Sequence, residues 1–220
     1  MKEQKQFKIN SLKDNIDLPT PKFCQLTDQI YGLTHFICTD YPQHKNWFYN
    51  KQLPETINST ERDILYATDI KDHNTIAGVL FLKKTPEEAK ICTMLVDSKY
   101  RGMGLGSQML ETAFQKLGTS QPLITFADYK FPMFANMIKK YNWELQDIVT
   151  GQYNDHAKEL CFNGTLTKQP TLNHHQLEQA LQNYFAQTTA PKKTQFAINP
   201  APTQLKGIVI SQDKFEINKL

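Results

Sequence analysis

Apolar residues recur at Phe23, Leu26, Ile30, Leu33 and Ile37, the three-four spacing of one helix face. Pro21 suits the start of that helix, and Tyr41-Pro42 ends it. A second, shorter helix is predicted over His44 to Lys51, with Trp47 and Phe48 packing inward and Pro54 closing it. The period then changes. Asp63 to Ile70, Thr75 to Leu82 and Ile91 to Val96 are apolar runs of strand length, separated by polar turns at Lys71-Asp72-His73-Asn74 and Thr85-Pro86-Glu87-Glu88. Connections this short dictate antiparallel pairing, because a parallel pair needs a crossover of about a dozen residues. A helical stripe returns at Leu105, Met109, Leu110, Ala113, Phe114 and Leu117, and Gly118 is a natural C-terminal cap.

Pro122 to Ala127 reads as the next strand. The intervening helix lets it lie parallel and adjacent to Ile91–Val96 through a right-handed crossover. A helix over Phe131 to Lys140 follows, then strands over Trp143 to Gln152 and Ala157 to Leu166 joined at Asn154-Asp155. A short strand around Phe7 to Ile9 precedes all of these. From Lys168 the texture shifts: a helix is predicted over Asn173 to Phe185, a Pro-, Thr- and Ala-rich arm over Gln187 to Gln204, and a terminal hairpin from Leu205–Ile210 and Phe215–Ile217. The expected class is α/β (α+β), a mixed, mainly antiparallel sheet with flanking helices and a C-terminal extension.

Composition narrows the classes without naming one. Of 220 residues, 40% are hydrophobic and 21% charged, the balance of a soluble globular protein. The net charge of +3 is mild, and Arg62 and Arg101 are the only arginines. A nucleic-acid reader leans on a concentrated basic face and on the bidentate arginine fork, so both counts argue against nucleic acid. Cys24, Cys38, Cys92 and Cys161 show no CxxC spacing, and the expectation is a reduced thiol set. The opening MKEQKQFKIN holds no apolar signal region, and no apolar run is long enough to span a bilayer. The expectation is therefore a cytoplasmic protein with no membrane partner. The histidines, including the pair His174-His175, lack ligands at metal-site spacing, so no metal is expected.

The chemistry concentrates in Ile91 to Gly118. There a strand runs into Arg101-Gly102-Met103-Gly104-Leu105-Gly106-Ser107 and then into a helix. Alternate glycines permit positive φ and a close backbone approach, and the helix start presents free N–H groups with a positive dipole end behind them. That is an anion site, suited to phosphate. A nucleoside-triphosphate loop would need a lysine after its last glycine, which is absent. A dinucleotide fold would want a third glycine where Ser107 stands, and would place the loop after the first strand of a parallel sheet. Coenzyme A remains.

These residues resemble the GNAT acyltransferase superfamily. Its acyl-CoA motif, Arg/Gln-x-x-Gly-x-Gly/Ala, matches Arg101, Gly104 and Gly106, with Leu95-Val96 and Tyr100-Arg101-Gly102 fitting the surrounding pattern. The resemblance runs from Phe7 to Leu166. It implies an acyltransferase domain over residues 1–166; residues 167–220 fall outside it as a C-terminal extension, expected either to cover the acceptor groove or to pair with a neighbouring subunit in a homodimer through its terminal strand. It implies acetyl-CoA as co-substrate, with pyrophosphate on the amides of Gly102, Met103, Gly104, Leu105, Gly106 and Ser107. It also implies a pantetheine arm between two splayed parallel strands and an oxyanion donor among the Leu95 and Val96 amides. The reaction implied is transfer of an acetyl group to the amine of a small molecule or peptide.

The resemblance is incomplete at the general acid. Many members carry a tyrosine five residues before the aromatic that follows the last helix. Counting back from Trp143 reaches Ile138 instead. Either Tyr141 is then the acid or no side chain is, and Asp128, ending a strand, is the candidate base; Glu159 and His156 also fall on the expected acceptor side. The departure at Ile138 keeps open a binding module that holds coenzyme A or a partner with little turnover. A third reading is a toxin-like acetyltransferase acting on aminoacyl-tRNA.

Overall fold

A computed structural model describes residues 7–153, 155–166, 168, 170 and 172–189, apart from the side chains of His73 and Asn74. Seven strands form one sheet: β1 Phe7–Ser11, β2 Arg62–Asp69, β3 Asp72–Lys84, β4 Ala89–Val96, β5 Leu123–Ala127, β6 Leu145–Thr150 and β7 Lys158–Phe162. Their order across the sheet is β1-β2-β3-β4-β5-β7-β6. Every pair is antiparallel except β4 and β5, which are parallel neighbours as the crossover predicted. The sheet is mixed and mainly antiparallel with flanking helices, the class expected from the sequence.

Side-chain alternation divides the core into two. Leu65, Ala67, Leu80, Leu82, Ile91 and Phe126 face α4 (Leu105–Leu117) and α5 (Phe131–Tyr141), whose Met109, Leu110, Ala113 and Ile138 are buried against them. Ile64, Tyr66, Val79 and Phe81 face the opposite way, toward Ile30 of α1 (Thr20–Thr34) and Phe48. All eight residues of β2 are buried, as befits a strand covered on both faces. Gly78 of β3 sits where α4 presses closest. A Cβ there would lie 2.9 Å from Met109 Sδ and 3.0 Å from the Leu95 carbonyl oxygen.

Pro54 does not close the second helix. The chain passes from α2 (His44–Trp47) through a π-helical turn, Phe48–Gln52, into α3 (Leu53–Asn58), where Pro54 occupies the first turn. A proline is tolerated there because a first-turn N–H has no intrahelical acceptor to lose. Trp143 likewise ends α5 instead of opening a strand. Asn142 takes the left-handed conformation at φ 52°, Trp143 N–H returns to the Ile138 carbonyl at 3.0 Å, and the indole N–H donates to the Ser120 carbonyl.

Two features position the candidate site. In the β3–β4 register Phe81 opposes Thr93 and Leu82 opposes Ile91, so Cys92 is an extra residue, a β-bulge. A bulge bends its strand and strengthens the local twist. Immediately beyond it β4 leaves β5: only Lys90 with Leu123 and Ile91 with Ile124 are paired, and Cys92–Val96 and Thr125–Ala127 diverge. Separately, α6 (His174–Thr189) lays Leu177, Ala180, Leu181, Tyr184 and Phe185 on the α4–α5 side of the core. Tyr184 stacks on Phe131 with centroids 5.2 Å apart, and Phe185 meets the same ring edge-on at 5.0 Å. The expected terminal hairpin and most of the arm before it lie outside the described residues.

Candidate active site

The turn after β4 is built to expose backbone. Asp97 accepts from the Lys99 N–H and starts a short 3-10 segment, Ser98–Tyr100, whose Tyr100 ring is buried edge-on against Phe7. Gly102 and Gly104 then turn at φ 76° and 81°, the left-handed region in which a side chain costs about 1–2 kcal/mol. Gly104 is the residue before α4, and the first intrahelical bond runs from Gln108 N–H to the Gly104 carbonyl at 3.1 Å. The amides of Leu105, Gly106 and Ser107 precede that bond, so they have no intrahelical acceptor. Among the described residues no side chain caps this end, and its first turn holds no acid to compete for an anion.

Gly106 shows why a side chain is absent farther in. A Cβ there would stand 3.2 Å from Met137 Cε, 3.3 Å from Met94 Cε and 3.8 Å from Val96 Cγ2. The helix start is thus seated on the diverging end of β4. Arg101 fastens it there, donating from Nε to the Val96 carbonyl at 3.0 Å while its side chain stays exposed. The predicted donor residues Leu95, Val96 and 101–107 are therefore contiguous in space, with an apolar lining of Met94, Val96 and Met137 beside an exposed turn. These residues fit a ligand with an anionic end and a flexible apolar arm.

The predicted catalytic side chains are not brought together. Tyr141 packs edge-on against Phe114 at 5.0 Å and near Trp143 at 5.9 Å, by the C-terminal half of α4 and thus at the end opposite the glycine turn. Its hydroxyl is buried, with the Lys140 ammonium as its polar neighbour. Asp128 leaves the end of β5 toward α6, hydrogen-bonding Tyr184, and accepts from the Tyr129 N–H at 3.0 Å. Ile138 is buried in the core at 2% exposure. His156 is exposed in the turn before β7.

Glu159 is where a carboxylate meets the divergence. It opposes Ala127 across the β5–β7 ladder and is 5% exposed. The Tyr41 hydroxyl donates to its two oxygens at 3.3 and 3.4 Å, and Thr125 also hydrogen-bonds it. Tyr153 meets the Tyr41 ring edge-on at 5.0 Å and bonds Thr125. Burial raises the Glu159 carboxyl above the usual carboxylate range, against the opposing pull of the Thr125 and Tyr41 bonds and of Lys130 and Lys90. The same burial, with the Glu159 charge added, raises the Tyr41 hydroxyl and pushes Tyr153 up to about 12. The loop carrying Tyr41 is tied down by Lys130, which pairs with Asp40 at 2.7 Å and lies 5.0 Å over the Tyr41 ring. Tyr41 and Tyr153 carry no sequence motif; the one hint is Glu159, a carboxylate directly before the apolar run Leu160-Cys161-Phe162.

Comparison with known proteins places these observations. The model of the Acetyltransferase (GNAT) family matches residues 28–121, which include the bulged strand and the glycine turn. No curated protein matches the sequence. Among solved structures, the NatC complex bound to Gag peptide and CoA aligns with a TM-score of 0.55 at 16% identity, covering 71% of this chain and 96% of that one. A candidate GNAT-family acetyltransferase from Desulfovibrio desulfuricans aligns at 0.50 and 10% identity, covering 71% and 97%. A candidate streptothricin acetyltransferase from Bacillus anthracis, in complex with acetyl coenzyme A, shares 22% identity at a TM-score of 0.42 over 50% of this chain. This chain spans 66% of that protein's length.

Proposed function

We propose that this chain, which carries the GNAT fold around a segment matching that family's model, is an acetyl-CoA-dependent N-acyltransferase acting on a primary amine. The observation that carries the reading is the divergence of β4 from β5 directly beyond the Cys92 bulge, opening beside the glycine turn at 101–107. A phosphate on the Leu105–Ser107 amides and a pantetheine arm along the Met94, Val96 and Met137 wall use features that a closed sheet would not need. The β4 edge that β5 leaves unpaired then offers backbone amides near Leu95 and Val96 as oxyanion donors, the largest single contribution such sites usually make.

In this reading the chain's residues supply position and electrostatics. Arg101 holds the turn to β4, Gly106 lets the arm lie against the helix, and the amine approaches from the α1–α3 side of the sheet. The leaving thiolate takes its proton from the reacting nitrogen, so neither Tyr141 nor Asp128 is required at the reacting atoms. The CoA- and peptide-bound state of the NatC relative supports a peptide amine as one acceptor class.

Thermal unfolding with acetyl-CoA, paired with thiol release over a panel of amines, tests the reading. Saturation at ~100 times Kd adds about 2.7 kcal/mol of stability. Absence of stabilisation at millimolar acetyl-CoA overturns the donor site. Stabilisation without thiol release from any amine favours a binding module instead.

A further inference from the structure

The sheet carries a second polar cluster, on the face away from α4. Glu159 sits with Thr125, Tyr41 and Tyr153 at the foot of the divergence. Thr125 is the first β5 residue beyond the last β4–β5 pair, and Cys92, whose thiol burial keeps protonated, is the first on β4. Three separate segments enclose the carboxylate: the loop after α1 with Tyr41, the β6–β7 turn with Tyr153, and β5 with Thr125. A fold does not need an acid there. The position lies between Lys158 and Leu160 on a strand whose other sheet-facing residues are apolar, and the carboxylate is held by hydroxyls alone, Tyr41 at 3.3 and 3.4 Å and Thr125, with no cation in direct contact among the described residues. Two aromatic rings beside a buried carboxylate are the surroundings that stabilise an alkylammonium, through ring faces and charge together.

We infer that Glu159 is the catalytic base and that the acceptor is a primary alkylammonium group, seated between the Tyr41 and Tyr153 rings and aimed at the β4–β5 opening. This rests on the acyltransferase reading above. One carboxylate oxygen takes a proton from the ammonium, leaving a neutral amine. The nitrogen lone pair forms the new bond to the thioester carbonyl carbon, and the carbon–sulfur bond breaks. A second nitrogen proton goes to the departing thiolate, and Glu159 returns its proton to solvent. The balance is one ammonium and one thioester consumed, with one amide, one thiol and one proton formed. A carboxyl raised by burial is better matched to this transfer than an ordinary one, since proton-transfer efficiency is greatest when the base's pKa lies near the working pH.

Other groups face Glu159 and shape its titration. Lys130 and Lys90 lower it; Tyr41, Tyr129 and Tyr153 lie close enough to be raised by its charge, as does the Cys161 thiol, pushed up to about 12 chiefly by burial. None of the three tyrosines ionises in the working range, so the ionisation seen in a rate profile belongs to the carboxylate.

The test uses the full chain, acetyl-CoA, and four probes: spermidine, lysine amide, phenethylamine and trifluoroethylamine. The last is a primary amine weak enough to be neutral at pH 7. With wild type, the three alkylammonium probes are acetylated, and the rate rises with pH through a limb above the usual carboxylate range. In Glu159→Gln the rate on the alkylammonium probes falls on the order of 100-fold at pH 7, within the range for general base catalysis. The deficit closes as pH approaches the amine's own pKa, and trifluoroethylamine loses little. Tyr41→Phe, which keeps the ring, raises KM more than it lowers kcat. Acetyl-CoA affinity, read by calorimetry, stays unchanged in both variants. Equal losses on charged and neutral amines, or an unaltered pH profile in Glu159→Gln, overturn the inference. So does acetyl-CoA binding without acetylation of any probe. Failure to bind acetyl-CoA at all instead overturns the acyltransferase reading beneath it.

Discussion

Arg101 reaches back to Val96: its Nε donates to the Val96 carbonyl at 3.0 Å, joining the exposed glycine turn to the last residue of β4. The contact fixes the angle between strand end and helix start, which no glycine can do for itself. Arg101→Ala is expected to weaken acetyl-CoA binding about tenfold, read by calorimetry, with the melting temperature unchanged. A lysine at this position lacks the planar fork and should recover little of the loss.

The two glycines flanking Leu105 should fail differently. Gly104 turns at φ 81° with only the Gln108 amide near a built Cβ, so Gly104→Ala carries a backbone cost of about 1–2 kcal/mol. For a domain of this size each kcal/mol moves Tm by about 2–4 °C. Gly106 has an ordinary helical φ, and its added Cβ would press on the flexible ends of Met94 and Met137, with Val96 at ordinary contact distance. Gly106→Val should therefore keep Tm nearly intact while blocking the donor groove, seen as loss of stabilisation by acetyl-CoA.

Tyr141→Phe separates packing from catalysis. Its hydroxyl is buried against aromatic neighbours beside the exposed Lys140 ammonium, and removing it sets a relieved desolvation cost of about 1–3 kcal/mol against that weak contact. The expected outcome is equal or greater stability and an unchanged rate of acetyl transfer at every pH. A large fall in kcat would return Tyr141 to the role of acid.

His44 makes the fold sensitive to acid. It is buried between Tyr31 and Trp47, hydrogen-bonded to Thr34 Oγ1 at 3.0 Å, and burial lowers its pKa from 6.5 to about 4. The unfolded chain therefore binds this proton first. Its contribution to stability is whole above pH 6.5, declines as pH falls, and is fully lost below about 4. Denaturant titrations across that window should fall more steeply for wild type than for His44→Phe.

Much of the donor half was legible because it depends on local rules. The stripe from Leu105 to Leu117 and the glycines at 102 and 104 specify a helix and its entry turn without reference to the rest of the chain. The acceptor half depends on distant pairings. Tyr41 and Glu159 are 118 positions apart, and only the sheet order brings them into contact. Nor does sequence alone distinguish Asp128, which turns to Tyr184, from Glu159, which turns to Tyr41; one strand residue more or less reverses the face. Pro54 is ambiguous for a local reason: a proline in the first turn of a new helix looks the same in sequence as one that ends the old helix.

The bulge at Cys92 means that the opening in the sheet is encoded by chain length more than by any side chain. Substituting Cys92 by serine or alanine leaves the extra residue in place, so the strands should still part. Deleting it removes the offset between Thr93 and Ile91 and lets β4 continue straight along β5. Such a chain should exchange its β4 amides more slowly in deuterium and no longer be stabilised by acetyl-CoA. The site would then tolerate a range of substitutions on this strand while a single-codon loss abolishes it, a sensitivity to insertions and deletions that a scan of point mutations would miss.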